Sequence, residues 1–365
     1  MPPPPGEPQR SWRQPAAARP LMESSHPAGR ANPVSRDTDL YTAVQDVQAG
    51  YWMQMRQVLD RTDNWPQWTS RTQVLGVVAA QANVVELWLK EEPESHAARV
   101  MYARVATERV LQAHRRNWAR DYRRAADLEK LVARAREACH MAAEGNPDDS
   151  VPWVCRLALA ETDMTGRHPE HHAAPPPHEY LLPGGPWGLL GEAHRRDPFN
   201  REAWHRMSQA LQARPGPAGR QAVATDFARW TVSFAPPDSP LLLLPLYARV
   251  QEHRERRDNG AEGMLNLLWT REDTTRAVTQ AYEGWFRKCD PVTSSQMDLN
   301  YLAYALARGG FAPWATEVFD AIGDFATPAP WQYDARHPED RWRKVFEEDR
   351  HACLRSRPRH TGERP

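Results

Sequence analysis

Lysine is nearly missing from this chain: of 47 basic side chains only Lys90, Lys130, Lys288 and Lys344 are lysine, and the rest are arginine. Beside abundant alanine and proline, that bias reads as coding composition rather than as selection for forked phosphate or carboxylate contacts. Net charge is missing too. The 47 acidic groups balance the 47 basic ones, so no global field steers the chain towards nucleic acid or an anionic membrane. Cysteine is scarce, and Cys139, Cys155, Cys289 and Cys353 lie far apart with no C-x-x-C pair. That pattern excludes a disulfide framework and a zinc ligand set, and a cytoplasmic setting is expected.

Long apolar runs are absent as well. The most apolar stretch, "VLGVVAAQANVVELWL", is broken by Gln81, Asn83 and Glu86 and falls short of the about 20 residues a membrane span needs. "MPPPPGEPQRSWRQP" at the start has no apolar signal-peptide segment. No membrane association is expected. Alternating β-branched runs bounded by hairpin turns do not occur, which excludes a sheet. Neither do phosphate-loop, nucleophile-elbow, zincin or dinucleotide fingerprints. Adjacent carboxylates such as Glu91–Glu92 and Glu347–Glu348 point to different sides of a helix, so they suit solubility better than acid–base catalysis.

What is present is helical periodicity. In "DLEKLVARAREACHMA", Leu128, Leu131, Val132, Ala135, Ala138 and Cys139 form one apolar stripe. "DLNYLAYALARGGF" repeats the pattern with Leu299, Leu302, Ala303 and Leu306, and Gly309–Gly310 supplies a stop. Helix starts are punctuated by Pro93, Pro147, Pro198, Pro237 and Pro291, at intervals of 54, 51, 39 and 54 residues. Ser95, Ser150, Asn200 and Ser239 are placed to cap the helices that follow, with Pro152 or Pro240 in the first turn. Each interval has room for two helices and their turns, longer than the roughly 34 residues of a standard tetratricopeptide unit. Trp153 and Trp204 both follow their marker by six positions, as knobs against a preceding hairpin.

The expected organisation is a disordered Pro/Arg-rich arm over 1–36, a helical-repeat domain over 37–352 and a disordered basic tail over 353–365. A His/Pro-rich loop, 166–185, interrupts the repeats. The stretches "DPFNREAWHRMSQALQARPGPAGRQAVATDFARWTVSFAPPDSPLLLLPLYARV", "LWLKEEPESHAARVMYARVATERVLQA" and "LAYALARGGFAPWATEVFDAIGDFATPAPW" resemble a group of uncharacterised bacterial proteins built from tetratricopeptide-like hairpins. The likeness spans about 38 to 350. It implies an α-solenoid or a compact helical-repeat body and no activity, cofactor or catalytic residue; the fold expected is all-α, an irregular α-solenoid of about six hairpins. The period is uneven, unlike that of an ordinary tetratricopeptide array.

Four side chains invite a metal-site reading: His168, His171, His172 and His178, within "GRHPEHHAAPPPHEY". Two histidines one helical turn apart plus a third ligand would suit zinc. However, Pro169 disfavours helix at His168, and Pro175–Pro177 forces an extended path. A solvated interhelical loop, with no metal or other cofactor, is the expectation. "HRRNWARDYRR" interleaves Arg115, Arg116, Arg120, Arg123 and Arg124 with Trp118 and Tyr122, a pattern that grips single-stranded RNA. Asp121, Asp127 and Glu129 and the zero net charge favour a solvated turn instead. "RPRHTGERP" resembles a zinc-finger linker but lacks the paired cysteines. Among 15 tryptophans, Trp65 and Trp68 in "DNWPQW", placed in a turn around Pro66, with Trp331 and Tyr333 in "PAPWQY", placed just before the final helix, are the candidate partner contacts. The function expected is a non-catalytic scaffold or adaptor for an unidentified protein or peptide. The alternatives are an enzyme with a helical-toroid or histidine-loop site, and an RNA-binding repeat protein.

Overall fold

The computed structural model describes residues 36–117, 123–163, 166–177, 182–213, 219–261, 265–335 and 342–356. The arm over 1–35, the end of the basic tail, Trp118, Arg120, Tyr122 and His178 lie outside them. Among the described residues the chain is all helical, with no strand beyond one isolated antiparallel bridge between Ala173 and Gly185.

Each proline marker precedes a helix, and those helices pack on one another in series. The first four helices are α1 (Thr38–Gln48), α2 (Met53–Asp60), α3 (Trp65–Ala79) and α4 (Val84–Glu91). After Pro93 comes α5 (His96–Asn117), which pairs with α6 (Arg123–Gly145) and also packs on α3 and on α7 (Val151–Leu159). Next follow α8 (Trp187–Arg196), α9 (Arg201–Ala213) and α10 (Gly219–Val232). The last group is α11 (Leu244–Asp258), α12 (Leu265–Trp269), α13 (Glu272–Gln280), α14 (Gln296–Arg308), α15 (Ala312–Ile322) and α16 (Trp342–Arg355). The marked helices α5 and α7 contact their successors directly, as α11 contacts α14, and α9 meets α11 through His205 and Tyr247, whose rings are 4.5 Å apart; α6, α8, α10 and α15 return against them.

Three of the four expected caps form. Ser95 Oγ accepts from Ala98 N at 3.3 Å, Asn200 Oδ1 from Ala203 N at 2.9 Å, and Ser239 Oγ from Leu241 N at 3.2 Å. At α7 the capping acceptor is Asp149 rather than Ser150, its Oδ1 taking Val151 N at 2.7 Å. The core runs as three successive clusters that share helices. Val151, Cys155 and Leu159 of α7 belong to the first cluster while Val154 and Leu157 belong to the second; Leu244 and Leu246 divide α11 likewise between the second and third. A helix apolar on both sides is the economical way to join consecutive layers.

Two contacts draw in what an open solenoid would keep apart. Asn200 Nδ2 donates to Thr69 Oγ1 at 3.1 Å, and Arg36 Nη2 donates to the Ala321 carbonyl at 2.7 Å. No single helix among the described residues is long and apolar enough to cross a membrane. The α3–α4 pair, which carries the most apolar stretch, is bent by 115°, and its Leu75, Val84, Val85 and Trp88 are core residues.

Candidate functional site

A cavity lies where α3, α5 and the turn before α7 meet. Asn64 Oδ1 caps α3 by accepting from Gln67 N at 2.9 Å, and Pro66 occupies the first helical turn, where its missing N–H costs nothing. Trp65 and Trp68 therefore stand three positions apart on one helix rather than in the expected turn. Asp149, fully buried, gathers the other wall: its Oδ2 accepts from Trp68 Nε1 at 2.9 Å and from His96 Nε2 at 2.8 Å. That contact places the imidazole proton on Nε2, and the His96 ring stacks on Trp68 with centroids 5.9 Å apart at 13°. Thr62, Asp63, Asn64 and Asn146 complete a hollow of about 220 Å³.

This volume is below the roughly 300–1,000 Å³ of sites that enclose drug-sized ligands. It suits one or two side chains of a longer segment. The polar groups in its wall are largely committed: Asn146 Oδ1 accepts from Asp148 N at 3.2 Å, and Asp149 and the Trp68 indole are bonded to each other. What remains on offer is aromatic surface and the buried His96 Nδ1, which has no hydrogen-bond partner, with the exposed Asp63 carboxylate at the rim.

A second cluster lies at the middle of the body, on α9. Glu202 bridges two guanidiniums, Arg104 Nη1 at 2.8 Å and Arg206 Nε at 3.2 Å, and Arg206 Nη2 donates to Glu108 at 3.1 Å. At the adjacent position, Arg201 is paired with Asp298, which also accepts from Tyr247 Oη at 2.7 Å. Burial disfavours the Glu202 carboxylate, but Arg104 and Arg206 outweigh it and hold its pKa below the ordinary value. Burial, together with Arg201 and Arg206, keeps His205 neutral. Arg206 Nη1, Gln209 Oε1 and His205 Nε2 have no protein partner. The enclosed space beside them is about 30 Å³, which suits a water or two. Glu202 and Glu108 are each ion-paired with arginine, Glu202 with Arg104 and Arg206 and Glu108 with Arg206.

The histidine loop is more structured than a solvated loop. His171 is 1 % exposed, and its Nδ1 donates to Asp163 Oδ2 at 3.1 Å. The same carboxylate takes the Arg167 and His168 backbone N–H groups at 3.0 and 3.1 Å, and His172 Nε2 lies 3.3 Å from it. Burial raises the Asp163 pKa, but these donors together bring it down to about 2. Burial, opposed by Asp163 and Glu170, lowers that of His171 to about 4. Among the described residues no three histidine, cysteine or acidic side chains converge as a metal site.

The two candidate aromatic pairs separate. Trp65 and Trp68 share the cavity, whereas Trp331 has no exposed surface: its Nε1 donates to Asn300 Oδ1 at 2.8 Å, and its ring packs on Tyr304, Phe319 and Phe346. Tyr333 is half-buried under Arg254, 4.9 Å from its ring. Next to it stands a hub that the sequence does not announce. Asp334 accepts from His253 Nε2 at 3.0 Å and from Arg257, Arg308 and Tyr304, each at 2.7 Å. Its partners lie 26 to 81 positions away. Of the arginine-rich turn, Arg115 and Arg116 end α5, which pairs with α6. No family model matches the chain, and neither a curated protein nor a solved structure does.

Proposed function

We propose that the protein is a non-catalytic, cytoplasmic scaffold or adaptor that holds an extended peptide segment in the Trp65–Trp68 pocket. The proposed body is an irregular α-solenoid of about six tetratricopeptide-like hairpins, curled so that Arg36 meets Ala321. The serial packing of the proline-marked helices and the shared faces of α7 and α11 support that architecture. The observation that carries the docking reading is the pocket's chemistry: an aromatic wall fixed in place by the buried Asp149, with few uncommitted polar groups. Aromatic anchors fixed in this way are the usual energetic centre of a peptide interface. The enzyme reading draws on the cluster where charged side chains of α5 and α9 converge beside His205, but its ion pairs are closed and its space is small.

Calorimetric titration of the full chain with short extended peptides carrying proline, leucine or tryptophan anchors tests the proposal. Removing a hot-spot side chain costs about 2 kcal/mol or more, so Trp65→Ala should weaken the best binder at least about 30-fold. Unchanged affinity in that variant would refute the assignment of the pocket.

A further inference from the structure

We infer that the occupant of the Trp65–Trp68 pocket is a proline-rich segment, and that in the resting protein it is the chain's own N-terminal arm, docked in cis. The inference rests on the peptide-docking proposal above and adds the ligand and its regulation.

Location is the first support. Asp37, which caps α1, accepts from Arg71 Nε at 2.8 Å, and Arg71 Nη1 donates at 2.9 Å to Thr62 Oγ1, part of the pocket wall. The root of the arm is thus one arginine side chain away from the cavity. Arg36 pins that root from the other side, bonded to the Ala321 carbonyl and lying 5.4 Å over the Phe325 ring.

Length is the second. Thirty-five residues precede Arg36, and Pro5 stands 31 positions before it. A random coil of that many residues has a root-mean-square span of about 30 Å, ample for the short distance between root and pocket. Such a tether sets an effective concentration of about 1 mM. Docking in cis then prevails wherever the intrinsic Kd is about 1 mM or tighter.

Chemistry is the third. Pro2 to Pro5 and Pro8 favour a polyproline helix, which binds with little ordering cost and lays apolar rings on aromatic walls. Arg10, Arg13, Arg19 and Arg30 outnumber Glu7 and Glu23 in the arm, opposite in sign to Asp63 at the rim. The consequence is competition. An arm whose intrinsic Kd is a tenth of its effective concentration reduces the apparent affinity for an outside peptide about tenfold.

The test uses the full chain labelled with 5-fluorotryptophan, with Trp65 assigned by Trp65→Phe and Trp331 as a core reference. Replacing Pro2, Pro3, Pro4 and Pro5 together by serine should shift the Trp65 fluorine resonance and leave that of Trp331 in place. The shift should not depend on protein concentration. Adding the free peptide of residues 1–15 to the serine variant at millimolar concentration should restore the original position. An unmoved Trp65 resonance overturns the inference, as does a shift that grows with protein concentration, which would assign the arm to a second copy. In those cases the added peptide separates the two proposals: a shift keeps the pocket as a site for proline-rich segments, and none removes that as well.

Discussion

Replacing His171 by asparagine should change how stability depends on pH more than it changes stability at neutral pH. In the folded chain the imidazole is neutral, buried and bonded to Asp163, and its pKa is about 4 against an ordinary 6.5. Between those values the unfolded chain binds more protons than the folded one, so stability falls as pH falls through that window. The slope is about 1.4 kcal/mol per pH unit, or roughly 3 kcal/mol over the whole window. Asp163, held near 2 in the folded chain, adds a smaller slope of the same sign at the acid end of the window, below about pH 5, where the unfolded carboxyl begins to take up protons. Asparagine keeps an N–H for Asp163 but cannot be protonated, at a cost of about 1–2 kcal/mol at neutral pH for the altered hydrogen bond and packing. The two stability curves should therefore cross between about pH 5 and 6, below which the variant is the more stable. Urea unfolding of both chains over this range, taken as a difference so that the other histidines cancel, measures it. A variant that loses stability as steeply as the parent would refute the reasoning.

Three other substitutions test the interior. Glu202→Gln leaves the buried Arg104 without its carboxylate and Arg206 with Glu108 alone, and the loss should be about 3–5 kcal/mol; a stability within about 1 kcal/mol of the parent, roughly the error of such a comparison, would mean that the cluster is not structural. Asp349 has the opposite sign to Asp163: burial, only partly opposed by Arg308, raises its carboxyl to about 6. The folded form then gains protons first, so stability falls as pH rises through about 4 to 6. Asp349→Asn should remove that fall, roughly 3 kcal/mol at neutral pH, and an unchanged difference between acid and neutral stability would contradict it. A β-carbon on Gly284 would lie 2.5 Å from the Pro237 carbonyl oxygen, so Gly284→Ala should unfold at clearly lower temperature than the parent, and an equal melting temperature would count against that packing.

Local grammar was legible in the sequence, and distant pairing was not. Proline markers and capping side chains act within a few residues, so the starts of α5, α7, α9, α11 and α14 could be read directly. Ser150 failed as a cap because Asp149, one position earlier, reaches Val151 N with a carboxylate oxygen. Trp65 and Trp68 were legible as candidates, but the wall they form with His96 depends on Asp149, 81 positions from Trp68. Trp331 sits among prolines like a surface aromatic, yet its indole finds Asn300 inside the core. The prolines of the histidine loop did exclude a helical pair of ligands. They could not show that Asp163 would draw His171 and two backbone N–H groups inwards, because that contact closes only when the helices pack.

The central claim is that a peptide docks against Trp65 and Trp68, and photo-cross-linking tests it most directly. The tightest peptide of the titration series, carrying a diazirine beside its anchor residue, is irradiated on the full chain and its adducts are mapped by mass spectrometry. The account predicts adducts on residues 62–68, His96 and Asn146, suppressed by excess unlabelled peptide. Adducts concentrated on α9 between Arg201 and Gln212 would contradict it and move the site to the charged cluster.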